Sequence, residues 1–139
     1  MNKFEQYEKE CEEIRAENAE LLLMFENDLE SKGLSRKTIR NHLSNVDLYI
    51  NEFLLREDAE HMDSGLGRMN LFFDFFIHKC MWSTPGNVRT TAASIKKFYK
   101  CMLDHGKISK DDYQDFYEDL KENIPFWQDE CADFNGDEW

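Results

Sequence analysis

No apolar run in this chain approaches the roughly 18 consecutive residues of a membrane span, and the acidic N-terminus lacks the basic start and apolar stretch of a signal peptide. Both absences point to a cytoplasmic protein with no membrane partner. There is no CxxC pair either: Cys11, Cys80, Cys101 and Cys131 are scattered, and without a secretion signal reduced thiols are expected. No Gly-rich phosphate loop, Ser-His-Asp order or Cys-His arrangement is recognisable. The paired acids Glu12-Glu13 and Asp111-Asp112 occupy adjacent helical positions that point in different directions, so they read as helix surface and cap. No catalytic residue is assigned, and the chain is not expected to be an enzyme. His78 and Cys80 lie two apart, and Cys101 and His105 four apart. That spacing does not match a zinc finger, and both cysteines have the character of buried ones. No metal and no cofactor is expected.

What is present is enough apolar surface for a core. The chain has 139 residues, 41% of them hydrophobic, with 11 Phe. That length suits one compact domain. The net charge of −12 argues against a nucleic-acid partner when taken alone, but the charge is unevenly placed. Residues 1–30 carry three basic and ten acidic side chains, and residues 111–139 carry one basic and eleven acidic. Between them, residues 31–56 hold five basic and two acidic groups, 57–67 four acidic groups, and 68–110 eight basic and two acidic. The middle is therefore basic and both ends are acidic, a pattern that can serve a polyanion on one face.

Every long segment has spacing near 3.6 and none alternates for more than a few residues, which predicts an all-α fold of about five helices. The first covers Lys3 to Lys32, with Phe4, Tyr7, Cys11, Ile14, Leu21, Leu22, Phe25 and Leu29 on its apolar side and Gly33 ending it. Phe4, Cys11, Asn18 and Phe25 lie seven apart, with Tyr7, Ile14 and Leu21 interleaved. That is the spacing of a short coiled-coil seam, so self-association competes with an amphipathic helix lying on its own domain, the favoured reading. The second helix starts at the cap Ser35 and runs to about Leu55, burying Ile39, Leu43, Val46, Ile50, Phe53 and Leu54. Its other face carries Arg36, Lys37, Arg40, Asn41, Ser44 and Asn51, near a helix start that attracts phosphate. A third helix, Arg68 to Met81, is apolar on nearly every side and is expected mid-core. The fourth begins at Ser83-Thr84-Pro85 and ends at Gly106. Val88, Ala92, Ile95, Phe98, Tyr99, Met102 and Leu103 face inward; Arg89, Lys96 and Lys100, flanked by Thr90 and Lys97, form the most concentrated basic stripe. A fifth starts at Ser109, with Asp112 as a variant capping box, buries Tyr113, Phe116, Tyr117, Leu120 and Ile124, and stops at Pro125. Residues 126–139 are an acidic tail, either docked by Trp127, Phe134 and Trp139 or disordered.

The stretch from Leu21 to Ile39, LLLMFENDLESKGLSRKTI, resembles the opening of the SAM-like core-binding domain of tyrosine recombinases and phage integrases. In that family a helix ends in Gly-Leu-Ser and the next begins with Thr and an apolar residue. Ala93 to Tyr99, ASIKKFY, through Gly106, Lys107 and Ile108 is similar to that domain's fourth helix and its exit. The likeness covers residues 19–124 and leaves 1–18 as an acidic helical extension and 125–139 as a tail. It implies one half of a clamp on duplex DNA, with the second and fourth helices at the DNA. By position it nominates Arg36, Lys37, Thr38, Arg40 and Asn41, and Arg89, Thr90, Lys96, Lys97 and Lys100. These coincide with the basic faces found from charge. The chain departs from the family in lacking the Asn-Pro that often follows the fourth helix, and it has no room for the domain that carries the Arg and His activators and the nucleophilic tyrosine.

Two functions of different classes emerge. One is a non-catalytic DNA-binding accessory module that uses the second and fourth helices. The other is an acidic protein-interaction module, a DNA-mimicking decoy for a recombinase or another DNA-binding protein, motivated by the acidic ends.

Overall fold

Among the described residues of this computed structural model, 2–80 and 82–136, every regular element is helical and none is a strand, in agreement with the all-α reading. The chain divides into two compact units, Met1–Gly65 and Leu66–Trp139. This division falls inside the 19–124 span expected to be one domain, and at neither residue 18 nor residue 124.

In the first unit, helix α1 (Lys3–Ser31) begins where Asn2 Oδ1 accepts the Glu5 N–H at 2.8 Å. It ends where Gly33 takes φ +80°, which lets the Leu34 N–H return to the Leu29 carbonyl at 3.3 Å. A Cβ is strained in that left-handed conformation, so glycine belongs there. Helix α2 (Arg36–Asp47) is capped by Ser35, whose hydroxyl accepts the Thr38 N–H at 3.2 Å. The expected straight run to Leu55 does not occur. From Leu48 to Phe53 the backbone widens into a π-helical turn, and the Leu54 N–H reaches five residues back to the Tyr49 carbonyl at 3.1 Å. The extra residue in that turn rotates the segment beyond it. Tyr49 and Leu55 therefore join Ile39, Val46, Ile50 and Leu54 in the interior, while Leu43 and Phe53 are only half-buried.

The π turn also explains a polar residue buried in the middle of α1. Asn18, 1% exposed, donates to Asn51 Oδ1 at 2.8 Å and reaches the Ile50 carbonyl at 3.4 Å. Nearby, Cys11 and Ile14 pack with Leu55, flanked by Tyr7 and Ala59, and the Tyr7 hydroxyl donates to the Leu55 carbonyl. The seven-residue spacing of α1 thus lies on its own unit over this stretch, whereas Phe4 is 65% exposed.

In the second unit, α3 (Met69–Lys79) buries Met69, Phe72, Phe73, Phe76 and Ile77. It is not enclosed on every side, because Leu71 is 59% exposed; the expected end at Met81 lies outside the described residues. Helix α4 (Pro85–Asp104) has Thr84 as its cap, accepting the Asn87 N–H at 3.0 Å, and Pro85 in the first turn. Its predicted inner face is buried except for Leu103, which is half-buried, and Thr91, Ser94 and Cys101 join it.

Helix α5 (Lys110–Gly136) is capped by Ser109, which accepts the Asp112 N–H at 3.1 Å, and then continues without a break past Pro125. The expected stop at Pro125 is corrected to continuous helix as far as Gly136, and residues 126–136 are docked through Trp127 rather than disordered; Trp139 lies outside the described residues. A proline inside a helix costs roughly 3 kcal/mol. Beyond it, Trp127 is 2% exposed, stacks on Phe73 at 4.4 Å and donates its indole N–H to Asn70 Oδ1 at 3.1 Å. Burying an indole of about 200 Å² stabilises by about 5 kcal/mol, which outweighs the proline. Gln128 and Asn135 add hydrogen bonds to the Pro85 and Ser83 carbonyls, both at 3.1 Å.

Two substitutions test this account of α5. Trp127→Ala should lower the unfolding free energy by about 3–5 kcal/mol, read by urea denaturation. Pro125→Ala should raise it, by at most about 3 kcal/mol; a loss of stability on removing the proline would contradict a helix that tolerates rather than needs it.

Candidate nucleic-acid interface

The residues nominated for DNA contact are divided between the two units: five on α2 in the first and five on α4 in the second. On α2, Lys37, Thr38, Arg40 and Asn41 are exposed. Arg36 is exposed too but turned onto α1, with Nη2 2.8 Å from Glu26 Oε2 and Nη1 2.5 Å from Glu30 Oε1. The hydrogen bond to Glu26, reinforced by the charges of Glu26 and Glu30, holds the guanidinium above its ordinary value. Its fork is filled by carboxylates of its own chain. The helix start is also partly used: Ser35 takes the Thr38 N–H and donates its own hydroxyl hydrogen to Thr38 Oγ1 at 3.0 Å.

On α4 the predicted stripe is likewise partly engaged. Lys100 pairs with Asp104 at 2.6 Å, and the Lys96 ammonium lies 5.5 Å from the centroid of the Tyr117 ring on α5. Thr90 donates to the Asn87 carbonyl at 3.2 Å. Arg89 and Lys97 are exposed and have no acidic partner among the described residues. Helix α5 packs along α4 and carries nine acidic and two basic side chains, against four basic and one acidic on α4. At helix-packing distance, about 8–10 Å, the two lie within about one Debye length, so the α5 charge subtracts directly from the α4 potential.

Of the seven nominated cations, four (Lys37, Arg40, Arg89 and Lys97) are free of acidic or aromatic partners among the described residues, two in each unit. Four phosphate contacts correspond to a salt slope of only about −3.6. Whole units are acidic as well: residues 1–65 hold eight basic and sixteen acidic side chains, and residues 66–139 nine and thirteen.

The remaining chemistry is sparse. His78, Cys80, Cys101 and His105 do not form a metal-ligand group among the described residues; both cysteines are buried, and His78 and His105 are exposed. His78 instead faces Asp74 and Glu130, a grouping that needs α5 to continue past Pro125 and that only the i, i+4 spacing of Asp74 and His78 foreshadows. The acids Glu12, Glu13, Asp111 and Asp112 are exposed, as expected of helix surface and cap. In the first unit a shallow cleft of about 470 Å³ is bordered by Tyr7, Glu10, Glu57 and Asp58 with Lys3. No helix among the described residues is long and apolar enough to cross a membrane.

Comparison with known proteins finds no matching family model, no matching curated protein and no matching solved structure. The likeness to the integrase core-binding domain therefore rests on the two stretches Leu21 to Ile39 and Ala93 to Ile108.

All four cysteines are buried thiols outside any disulfide. A thiol reagent should consequently find little or no reactive cysteine in the native protein and all four in denaturant; two or fewer reactive thiols after denaturation without reductant would reveal a disulfide that this fold does not contain.

Proposed function

We propose that this chain is a non-catalytic, acidic protein-interaction module whose α5 face docks on the basic surface of a DNA-binding protein. One observation carries the reading. Asp111, Asp115, Glu118, Glu122, Phe126, Asp129 and Asp133 recur at steps of four and three along α5, and all seven are exposed. The opposite face, Phe116, Leu120, Trp127 and Cys131, is buried. Asp111 to Asp133 spans about 33 Å at 1.5 Å per residue, with the six carboxylates on one exposed face. Phe126, 63% exposed, is the single apolar member. A charged row around one aromatic side chain suits a partner whose basic groups steer the encounter while an apolar socket takes the ring. A surface evolved to hold phosphates has the basic half of that chemistry.

The charge density supports a groove-filling role and limits the analogy with DNA. Six carboxylates over about 33 Å is roughly half the axial density of one DNA strand. Against this row, the four free cations of α2 and α4 are a weaker feature, and they motivate the second reading, a DNA-binding accessory module of the kind that the integrase likeness implies.

The two readings separate in one measurement. Anisotropy of a labelled duplex near 50 mM salt should stay flat when this protein is added at micromolar concentration. Anisotropy of the same duplex pre-bound by a tyrosine recombinase should fall as the recombinase is displaced. Phe126→Ala and Glu122→Lys should each weaken displacement at least about tenfold. Direct duplex binding that is lost in an Arg89→Ala, Lys97→Ala double variant would overturn the acidic-module reading in favour of DNA binding.

A further inference from the structure

Beside the acidic row, Asp74 and His78 stand one turn apart on α3, and Glu130 reaches them from α5. One imidazole nitrogen and one oxygen from each carboxylate lie within 4.8 Å of one another. His78 Nδ1 is 3.0 Å from the Asp74 backbone carbonyl and 3.1 Å from Asp74 Oδ1, while Nε2 is 3.7 Å from Glu130 Oε1. Nδ1 is thus turned to the Asp74 oxygens and Nε2 to the Glu130 carboxylate. The Nε2–Oε1 separation of 3.7 Å is longer than a direct hydrogen bond and is close to what two ligands of one ion require.

The geometry points to a divalent transition-metal site in which His78 Nε2 and a Glu130 oxygen hold the ion and Asp74 orients the ring through Nδ1. Two ligands of a tetrahedral ion with bonds of about 2.1 Å stand roughly 3.4 Å apart, a few tenths of an ångström inside the observed separation. The pattern of one ring nitrogen on the ion and the other donating to a backbone carbonyl or carboxylate is the usual one for a metal-bound histidine. The ring is also held in place: Phe134 packs edge-on against it, with centroids 4.9 Å apart at 84°. Buried Trp127 and Cys131, either side of Glu130, fix the α5 register that brings its carboxylate in. A ligand set that includes an imidazole nitrogen favours zinc, cobalt or nickel over magnesium or calcium, which take six or more oxygens. Asp74, with a 70% exposed side chain, leaves the site open to solvent on one side. A bound ion ties α3 to the part of α5 beyond Pro125 and so stiffens the stretch carrying Asp129 and Asp133. The inference itself stands apart from any protein partner, because it is read from metal binding alone.

The test uses the full chain, stripped with a chelator, and titrates Co²⁺, Zn²⁺ and Mg²⁺ separately by calorimetry and thermal unfolding, with Co²⁺ followed also by visible absorption. We expect saturable binding of about one Co²⁺ or Zn²⁺, a rise of several degrees in Tm, and a cobalt absorption band of a nitrogen- and oxygen-liganded ion. His78→Ala should abolish the band and Glu130→Gln should weaken binding at least about tenfold, whereas Asp115→Asn, on the distant acidic row, should change neither. Both cluster side chains are partly exposed, so circular dichroism should show that the variants stay folded. Three outcomes overturn the site: no Co²⁺ band, binding no tighter than Mg²⁺, or equal loss in Asp115→Asn, which would mark a diffuse acidic surface.

Discussion

Trp127 stacks on Phe73 and places its indole N–H on Asn70, and the distal half of α5 depends on that contact. Pro125 removes one backbone donor and sets its ring against the preceding turn, so a helix held by backbone bonds alone would end there. A large aromatic side chain buried two residues later supplies more than the proline removes. Once the helix continues, the positions beyond it are determined: Phe126 and Asp129 fall in register with Asp111, Asp115, Glu118 and Glu122, and Glu130 comes round to face His78. The acidic row and the metal-ligand cluster are therefore two consequences of one packing event, on neighbouring sides of the same helix.

The first unit shows a related dependence at a smaller scale. Asn18 sits in the middle of an apolar stripe and is satisfied only because the chain after Asp47 widens by one residue, which brings Asn51 and the Ile50 carbonyl to its amide. A regular α-helix through Leu55 would aim a different set of side chains at α1. The buried amide and the π turn are each the condition for the other, since an unpaired buried amide costs about 1–3 kcal/mol and a π turn is seldom stable without compensating contacts.

Electrostatics separates charge present from charge available. The middle of the sequence is basic, yet Arg36 is forked between Glu26 and Glu30, Lys100 closes on Asp104, and Lys96 rests over Tyr117. Acidic groups of α1 and α5 are adjacent in space to the basic helix of their own unit, and they offset part of its positive charge before any ligand arrives. The surplus of carboxylates, by contrast, remains in solvent along α5.

Much of the secondary structure was legible from local signals, because caps and periodicity act over a few residues. Ser35, Thr84 and Ser109 start helices through hydrogen bonds three residues long, Gly33 and Gly106 end them by adopting positive φ, and the 3.6-residue spacing of the apolar positions excludes strands. The choice of basic residues on α2 and α4 was legible in the same way, as was the acidity of α1 and α5. Three outcomes were decided only in the tertiary structure: the passage of α5 through Pro125, the π turn after Asp47, and the diversion of Arg36 and Lys96 onto neighbouring helices. Each depends on partners far away in sequence (Phe73 for Trp127, Asn18 for Asn51, Glu26 for Arg36), and contact energies of that kind leave no mark on local spacing.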